Sequence, residues 1–251
     1  SYSAGSVVAF PDGRLAFSSH TAGHDRLLVA APGKDPVPLL DTPEQTTTPA
    51  TLVGEREVAF LTGAGPEQRI AVASIAEGRI VRRLQGAKGG ISSLAASPDG
   101  RTLYYVAAGT LWGLPAADGE PRRIRPADSV TVDRRNGDLI VSLNEKDGVR
   151  LVRLPASGGP EQPIPVRGEL GLSPTSLGPQ AVGKDGRLAV QVTAKDQWFW
   201  SAALLDPATG RLERIPLAYQ GDIPLPGWAP DGRLVALGQP LRSVLWRFQP
   251  L

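Results

Sequence analysis

A turn signature recurs along this chain at a spacing of roughly 40–45 residues, the period of a propeller blade. Its clearest copy is Ser97-Pro98-Asp99-Gly100-Arg101, led in by Ala95-Ala96 and followed by the β-rich run Thr102-Leu103-Tyr104-Tyr105-Val106. Pro11-Asp12-Gly13-Arg14-Leu15, Lys184-Asp185-Gly186-Arg187-Leu188 and Pro230-Asp231-Gly232-Arg233-Leu234 repeat it. Weaker copies stand at Gly54-Glu55-Arg56-Glu57-Val58 and Asn136-Gly137-Asp138-Leu139. Pro presets φ at the second turn position, Asp caps the turn with its side chain, and Gly takes the φ > 0 corner without steric cost. Between runs of strand formers, this is a hairpin signal.

Each unit reads as four strands: a small-residue inner strand, the Pro-Asp-Gly turn, a second strand, a loop, a third strand, a second turn and a polar outer strand. The units begin at Ser6, Ala50, Ile91, Ser129, Ser176 and Leu225. The expected fold class is all-β, a six-bladed β-propeller of four-stranded antiparallel blades that occupies residues 1–251 as a single domain. The last unit, Leu225–Ala229, Leu234–Gly238 and Val244–Phe248, has no outer strand. That blade is therefore incomplete or is closed by the N-terminus, where only Ser1–Ser3 precede the first inner strand.

The 29 Gly and 24 Pro fall at regular turn positions, which disfavours disorder or a collagen-like chain. With 27 Lys+Arg against 25 Asp+Glu, there is no basic tract. The pairs Arg82-Arg83 and Arg122-Arg123 read as solvated strand faces, and a nucleic-acid partner is not expected. The absence of Cys excludes disulfides, thiolate metal sites and a Cys nucleophile. No run approaches the ~20 apolar residues of a membrane span, and no signal-peptide pattern stands at Ser1, so the chain reads as a mature product or an excised domain.

The run Trp228-Ala229-Pro230-Asp231-Gly232-Arg233 resembles the WD-like repeat of TolB-type propellers, as do Ser97–Arg101 and Leu111-Trp112-Gly113-Leu114-Pro115 with Arg122-Arg123-Ile124 behind it. A narrower resemblance links Leu114–Ile124, and Gly221-Asp222-Ile223 with Trp228–Gly232 and Leu245-Trp246-Arg247-Phe248, to the propeller sensor regions of bacterial receptor-type Ser/Thr kinases. In those proteins a cytoplasmic kinase and one membrane span precede an extracytoplasmic C-terminal propeller. The resemblance implies an extracytoplasmic domain, periplasmic or on the cell surface, tethered to the membrane only through a segment absent from this chain. The repeat itself fixes fold and not function.

In a meander blade, the loops joining second to third strands and unit to unit emerge on the face opposite the Pro-Asp-Gly turns. They are longer and chemically irregular here, which makes that face the expected binding surface. On it lies Ala194-Lys195-Asp196-Gln197-Trp198-Phe199-Trp200. If this run is extended, Trp198 and Trp200 share one face and could stack on a sugar, a peptide aromatic or a cation, or pack between blades. Gln197, Tyr219, Asp222 and Arg242 complete the candidate ligand site. His20 and His24 are the only histidines; with Asp25 they would hold a metal only if another loop donated a ligand, and solvated turn residues are the simpler reading. No Gly-x-Ser-x-Gly elbow, Gly-x-x-x-x-Gly-Lys loop or His-Glu-x-x-His is present. The sequence points to a non-catalytic binding propeller without a cofactor, with a small molecule, peptide or protein as partner. A TolB-like periplasmic interaction scaffold and a propeller hydrolase or lyase acting on sugar or peptide are the alternatives.

Overall fold

The computed structural model describes residues 5–21, 23–85 and 90–240. The repeated turn does what its residues dictate. The Phe10 N–H donates to the Arg14 carbonyl at 2.8 Å and the Gly13 N–H to the Phe10 carbonyl at 3.0 Å, and the same two bonds recur at Gly183–Arg187 and Ala229–Arg233. Gly13, Gly186 and Gly232 sit at φ of 86°, 88° and 88°, the left-handed corner of a three-residue hairpin loop. The Asp carboxylate then clasps the Arg two residues on. It accepts the backbone N–H of Arg14, Arg187 and Arg233 at 3.1, 3.0 and 3.0 Å, and the Nε at 2.8, 2.6 and 2.7 Å. The Arg of the motif is thus part of the turn.

Five four-stranded antiparallel blades result. From the inner strand outward, blade 1 comprises Val7–Ala9, Leu15–Thr21, His24–Ala30 and Val37–Pro38. Blade 2 comprises Thr46–Val53, Glu57–Thr62, Arg69–Ser74 and Arg79–Leu84, and blade 3 Ile91–Ala96, Thr102–Ala107, Thr110–Pro115 and Arg122–Pro126. Blade 4 comprises Ser129–Val132, Leu139–Glu145, Gly148–Leu154 and Gln162–Ile164, and blade 5 Gly171–Leu172, Leu188–Thr193, Ser201–Leu205 and Leu212–Arg214.

The blades are sandwiched face to face, so their middle strands are apolar on both sides and successive side chains go to different cores. In blade 2, Val58, Phe60, Ala71 and Ala73 pack with Val8, Phe10 and Leu27 of blade 1. The residues between them, Ala59, Leu61, Ile70 and Val72, pack with Leu94, Leu103 and Tyr105 of blade 3. The same sorting continues in blade 4, where Val141 and Val152 face blade 3 and Ile140 and Leu151 face blade 5. Each fully buried aliphatic or aromatic side chain contributes about 1.5–3 kcal/mol, so these interlayers are the main source of stability. Trp112 stacks on its cross-strand partner Tyr105 at 6.5 Å and packs into the core between blades 2 and 3. It is a wedge between blades.

The expectation of six blades is corrected to five. Among the described residues the sixth unit forms only two short pairings, Gly221–Asp222 with Gln239–Pro240 and Gly227–Trp228 with Leu234–Val235. Pro224, Pro226, Pro230 and Pro240 remove ladder donors from this stretch, which prevents a longer sheet. Val244–Phe248 and Ser1–Ser3, proposed as its third strand and as a closing strand, lie outside the described residues. The unit nevertheless fills the gap in the ring, since Gly227–Trp228 contacts both the inner strand of blade 1 and the second strand of blade 5. The inner strand of the fifth unit, expected to begin at Ser176, is also corrected. Regular pairing is limited to Gly171–Leu172, after which the chain follows the second strand discontinuously, through Ser173 and Ser176 to Gln191 and through Ala181 to Ala189. Pro174 and Pro179 interrupt it. No helix among the described residues is long and apolar enough to cross a membrane.

Candidate functional site

The linker that leaves blade 5 meets the loop between that blade's second and third strands in a cleft of about 640 Å³. Gln197, Phe199, Arg214, Leu217, Tyr219 and Ile223 line it. Sequence reasoning placed Gln197, Tyr219, Trp200 and Asp222 in one site, and the structure brings them into one neighbourhood. The Gln197 Nε2 donates to the Phe199 carbonyl at 2.8 Å and also contacts the Ser201 hydroxyl. The Trp200 N–H donates to the Asp222 carboxylate at 2.9 Å, and the Ile223 N–H to the Trp200 carbonyl at 3.0 Å. Asp222 therefore ties the loop to the linker. Tyr219 lies over Gly238, where a Cβ would come within 2.6 Å of the ring. Arg214 pairs with Asp196 at 3.3 Å across the rim.

The expected alternation of Trp198 and Trp200 on an extended strand does not occur. The third strand begins only at Ser201, and residues 198–199 form a bend. The Gln197 amide reaches forward to Phe199 and Ser201, which folds the loop back on itself. Phe199 turns into the cleft, and Trp198 stands 99% exposed beside it, with Trp200 at 38%. Arg242 lies outside the described residues.

The histidines lie in blade 1, where second and third strands run on to Thr21 and from His24. The histidine segment, read from the sequence as a solvated turn, is thus mostly paired strand. His20 and Asp25 are cross-strand neighbours, with Nδ1 2.9 Å from the carboxylate, whose other oxygen accepts from Gln45 at 3.1 Å. Among the described residues no group of three or more His, Cys, Asp or Glu is placed to hold a metal.

A second cavity, about 340 Å³, opens on the opposite face among the Pro-Asp-Gly turns. Pro11 of blade 1, Leu52 and Glu55 of blade 2, Val132, Arg134 and Arg135 of blade 4, Gln180 and Lys184 of blade 5 and Trp228 of the sixth unit all line it. Units so far apart in the ring can share a cavity only on the axis. Beside it, Asp133 is fully buried and bound by Arg135 at 2.7 Å and Arg153 at 3.1 Å. Burial pushes the Asp133 carboxyl up, but hydrogen bonds from Arg135 and Arg153 outweigh it and hold the group below the usual carboxylate range.

Sequence reasoning missed this cavity because it ranked faces by loop length. The available signal was the departure of the fourth and fifth units from the repeat: Arg134-Arg135 follow Asp133, and Lys184 stands where the three Pro-Asp-Gly copies have Pro.

No family profile and no curated protein matches the sequence. Solved structures do resemble the fold. TolB from Acinetobacter baumannii superposes with a TM-score of 0.63 at 15% identity over 91% of this chain, which spans only 55% of that protein's length. A candidate TolB from Agrobacterium tumefaciens gives 0.69 at 14% identity, covering 95% of this chain and 90% of its own. The extracellular domain of a candidate one-component system from B. thetaiotaomicron gives 0.57 at 14% identity over 92% of this chain and 30% of its own. At such identities the likeness concerns architecture: this chain is a β-propeller with the fold seen in TolB structures.

Proposed function

We propose that this propeller is a non-catalytic binding module that captures a peptide or protein segment at the edge formed by blade 5 and the linker behind it. One observation carries the reading. Of the six large hydrophobic side chains exposed on the described surface, two (Leu217 and Tyr219) line this cleft and two more (Trp198 and Trp200) stand on the loop whose Gln197 and Phe199 form its other wall. Exposed aromatics clustered beside a groove are the usual anchors of protein recognition, because they supply large contact area at little entropic cost. The finer reading is an extracytoplasmic sensor region of a bacterial receptor Ser/Thr kinase, supported by the sequence resemblance and by the shared fold of an extracellular domain from a candidate one-component system. In that role, occupancy of the cleft would be passed to a kinase elsewhere in the full-length protein.

Selection of a displayed peptide library on the wild-type domain, followed by calorimetry against W198A and Y219A, tests the binding claim. Loss of about tenfold or more in affinity in either variant supports it; peptides that bind both variants unchanged contradict it. The sensor reading is tested separately by the full-length gene product. A kinase domain and membrane span upstream support it, and their absence favours a TolB-like interaction scaffold.

A further inference from the structure

The axial cavity on the Pro-Asp-Gly face is lined by two cations that form no ion pair among the described residues. Its neighbour Arg135 is consumed by Asp133. Arg134, in contrast, has no carboxylate within salt-bridge distance among the described residues. Its guanidinium crosses the axis from blade 4 to blade 2 and makes one long contact, 3.4 Å, to the Gly54 carbonyl. Lys184, on blade 5, likewise has no carboxylate in reach among the described residues, and it lines the same cavity. The confined position of Arg134 pushes its pKa down through lost solvation, although Glu55 nearby opposes this. Both cations stand exposed at the mouth of the cavity, with N–H donors free to take a carboxylate.

The walls are chemically different from the rim. Leu52, Val132, Val182 and Trp228 present apolar surface. Trp228 is fixed in place: the Arg187 guanidinium lies 6.0 Å over its ring, and the indole abuts Gly183, where a Cβ would approach within 2.9 Å. A mostly apolar, preformed concavity with a few convergent polar groups is what a small-ligand site requires, and about 340 Å³ lies near the lower end of the usual range.

We propose that the axial cavity binds a small organic anion, its carboxylate held by Arg134 and Lys184 and its apolar body seated against Trp228 and Val182. Glu55 on the same rim repels such a ligand and so tunes affinity downward. This site is separate from the aromatic cleft, and neither depends on the other.

The test is calorimetric titration of the intact domain with phenylacetate and with its uncharged isostere phenylacetamide. Phenylacetate is expected to bind at least about tenfold more tightly than the amide, and R134Q and K184Q to weaken phenylacetate several-fold to about tenfold. Both residues are exposed, so the variants should melt with the wild type. E55Q should tighten phenylacetate, and added salt should weaken it. W198A and Y219A should leave it unchanged, which separates this proposal from the peptide-binding one. No saturable phenylacetate binding, equal affinity for acid and amide, or unaltered affinity in R134Q would overturn the assignment.

Discussion

The Gln180 side chain satisfies both backbone polar groups of Ala9: its Oε1 accepts the Ala9 N–H at 2.7 Å and its Nε2 donates to the Ala9 carbonyl at 3.1 Å. The two residues are 171 positions apart in the chain. The Gln180 carbonyl meanwhile accepts the Trp228 N–H at 2.8 Å. One glutamine thus joins blade 5, blade 1 and the sixth unit, imitating with an amide the strand pairing that the proline-rich sixth unit cannot supply.

Replacing Gln180 by Ala should therefore unpair a buried N–H and C=O at the seam and cost about 2–4 kcal/mol. Glu at the same position keeps the acceptor and loses the donor, so its cost should be intermediate at neutral pH. Urea unfolding of the three proteins measures the order. Equal stability of all three would mean that the seam is held by packing alone.

Gly221 should resist substitution for a steric reason. Its φ is 153°, and a Cβ there would collide with the Gln239 carbonyl on the paired strand. Gly221→Ala is expected to break the pairing with Pro240 and loosen the linker that carries Tyr219 and Asp222, at a cost of about 1–3 kcal/mol. Peptide affinity at the cleft should fall with it. A variant as stable as wild type with an unaltered cleft would show that the strand can shift without consequence.

Acid should unfold this domain through its turn carboxylates. Hydrogen bonding from Arg14 holds Asp12 below its ordinary range, and hydrogen bonding from Arg233 does the same for Asp231. At Asp133 and Asp138 burial raises the carboxyl, but hydrogen bonds outweigh it and leave both lowered. A depressed native pKa stabilises the fold above the unfolded carboxylate value, about 4, and the contribution is lost as pH falls through the native values. Stability should thus be flat from about pH 7 to 5 and drop below about 4. Asp133→Asn removes the buried carboxylate that Arg135 and Arg153 share, while Arg153 keeps Asp138 at 3.0 Å, so it should cost about 1–3 kcal/mol near neutrality and flatten the acid limb. Denaturant midpoints measured across this range decide it; an unchanged acid limb in the variant would remove Asp133 from the account.

Trp198→Ala should leave thermal unfolding within about 0.5 kcal/mol of wild type, since the side chain is 99% exposed. A large destabilisation would mean that the indole packs against the protein, and the surface reading of the cleft would fail.

The local chemistry was readable from the sequence and the non-local chemistry was not. Pro-Asp-Gly-Arg foretells its hairpin because every bond in that turn lies within five residues. The runs around Phe60 and Ile140 read as strands, but their burial on both faces follows only from the stacking of neighbouring blades. The sixth unit misled because the same turn signal at Asp231 stands among prolines whose missing donors matter only when a ladder is assembled. Trp198 and Trp200 misled because alternation places side chains only where a strand exists, and the Gln197 amide bends that segment. Arg134 and Lys184 were invisible as a pair: they lie in different blades and meet only through closure of the ring.

The most direct test of the central claim is hydrogen exchange of the wild-type domain with and without a selected peptide. The account predicts new protection confined to residues 196–201 and 215–223, at the cleft where Trp198 and Tyr219 stand. Protection that falls instead on the Pro-Asp-Gly turns around Pro11, Gly54 and Pro230, with the cleft unchanged, would contradict it.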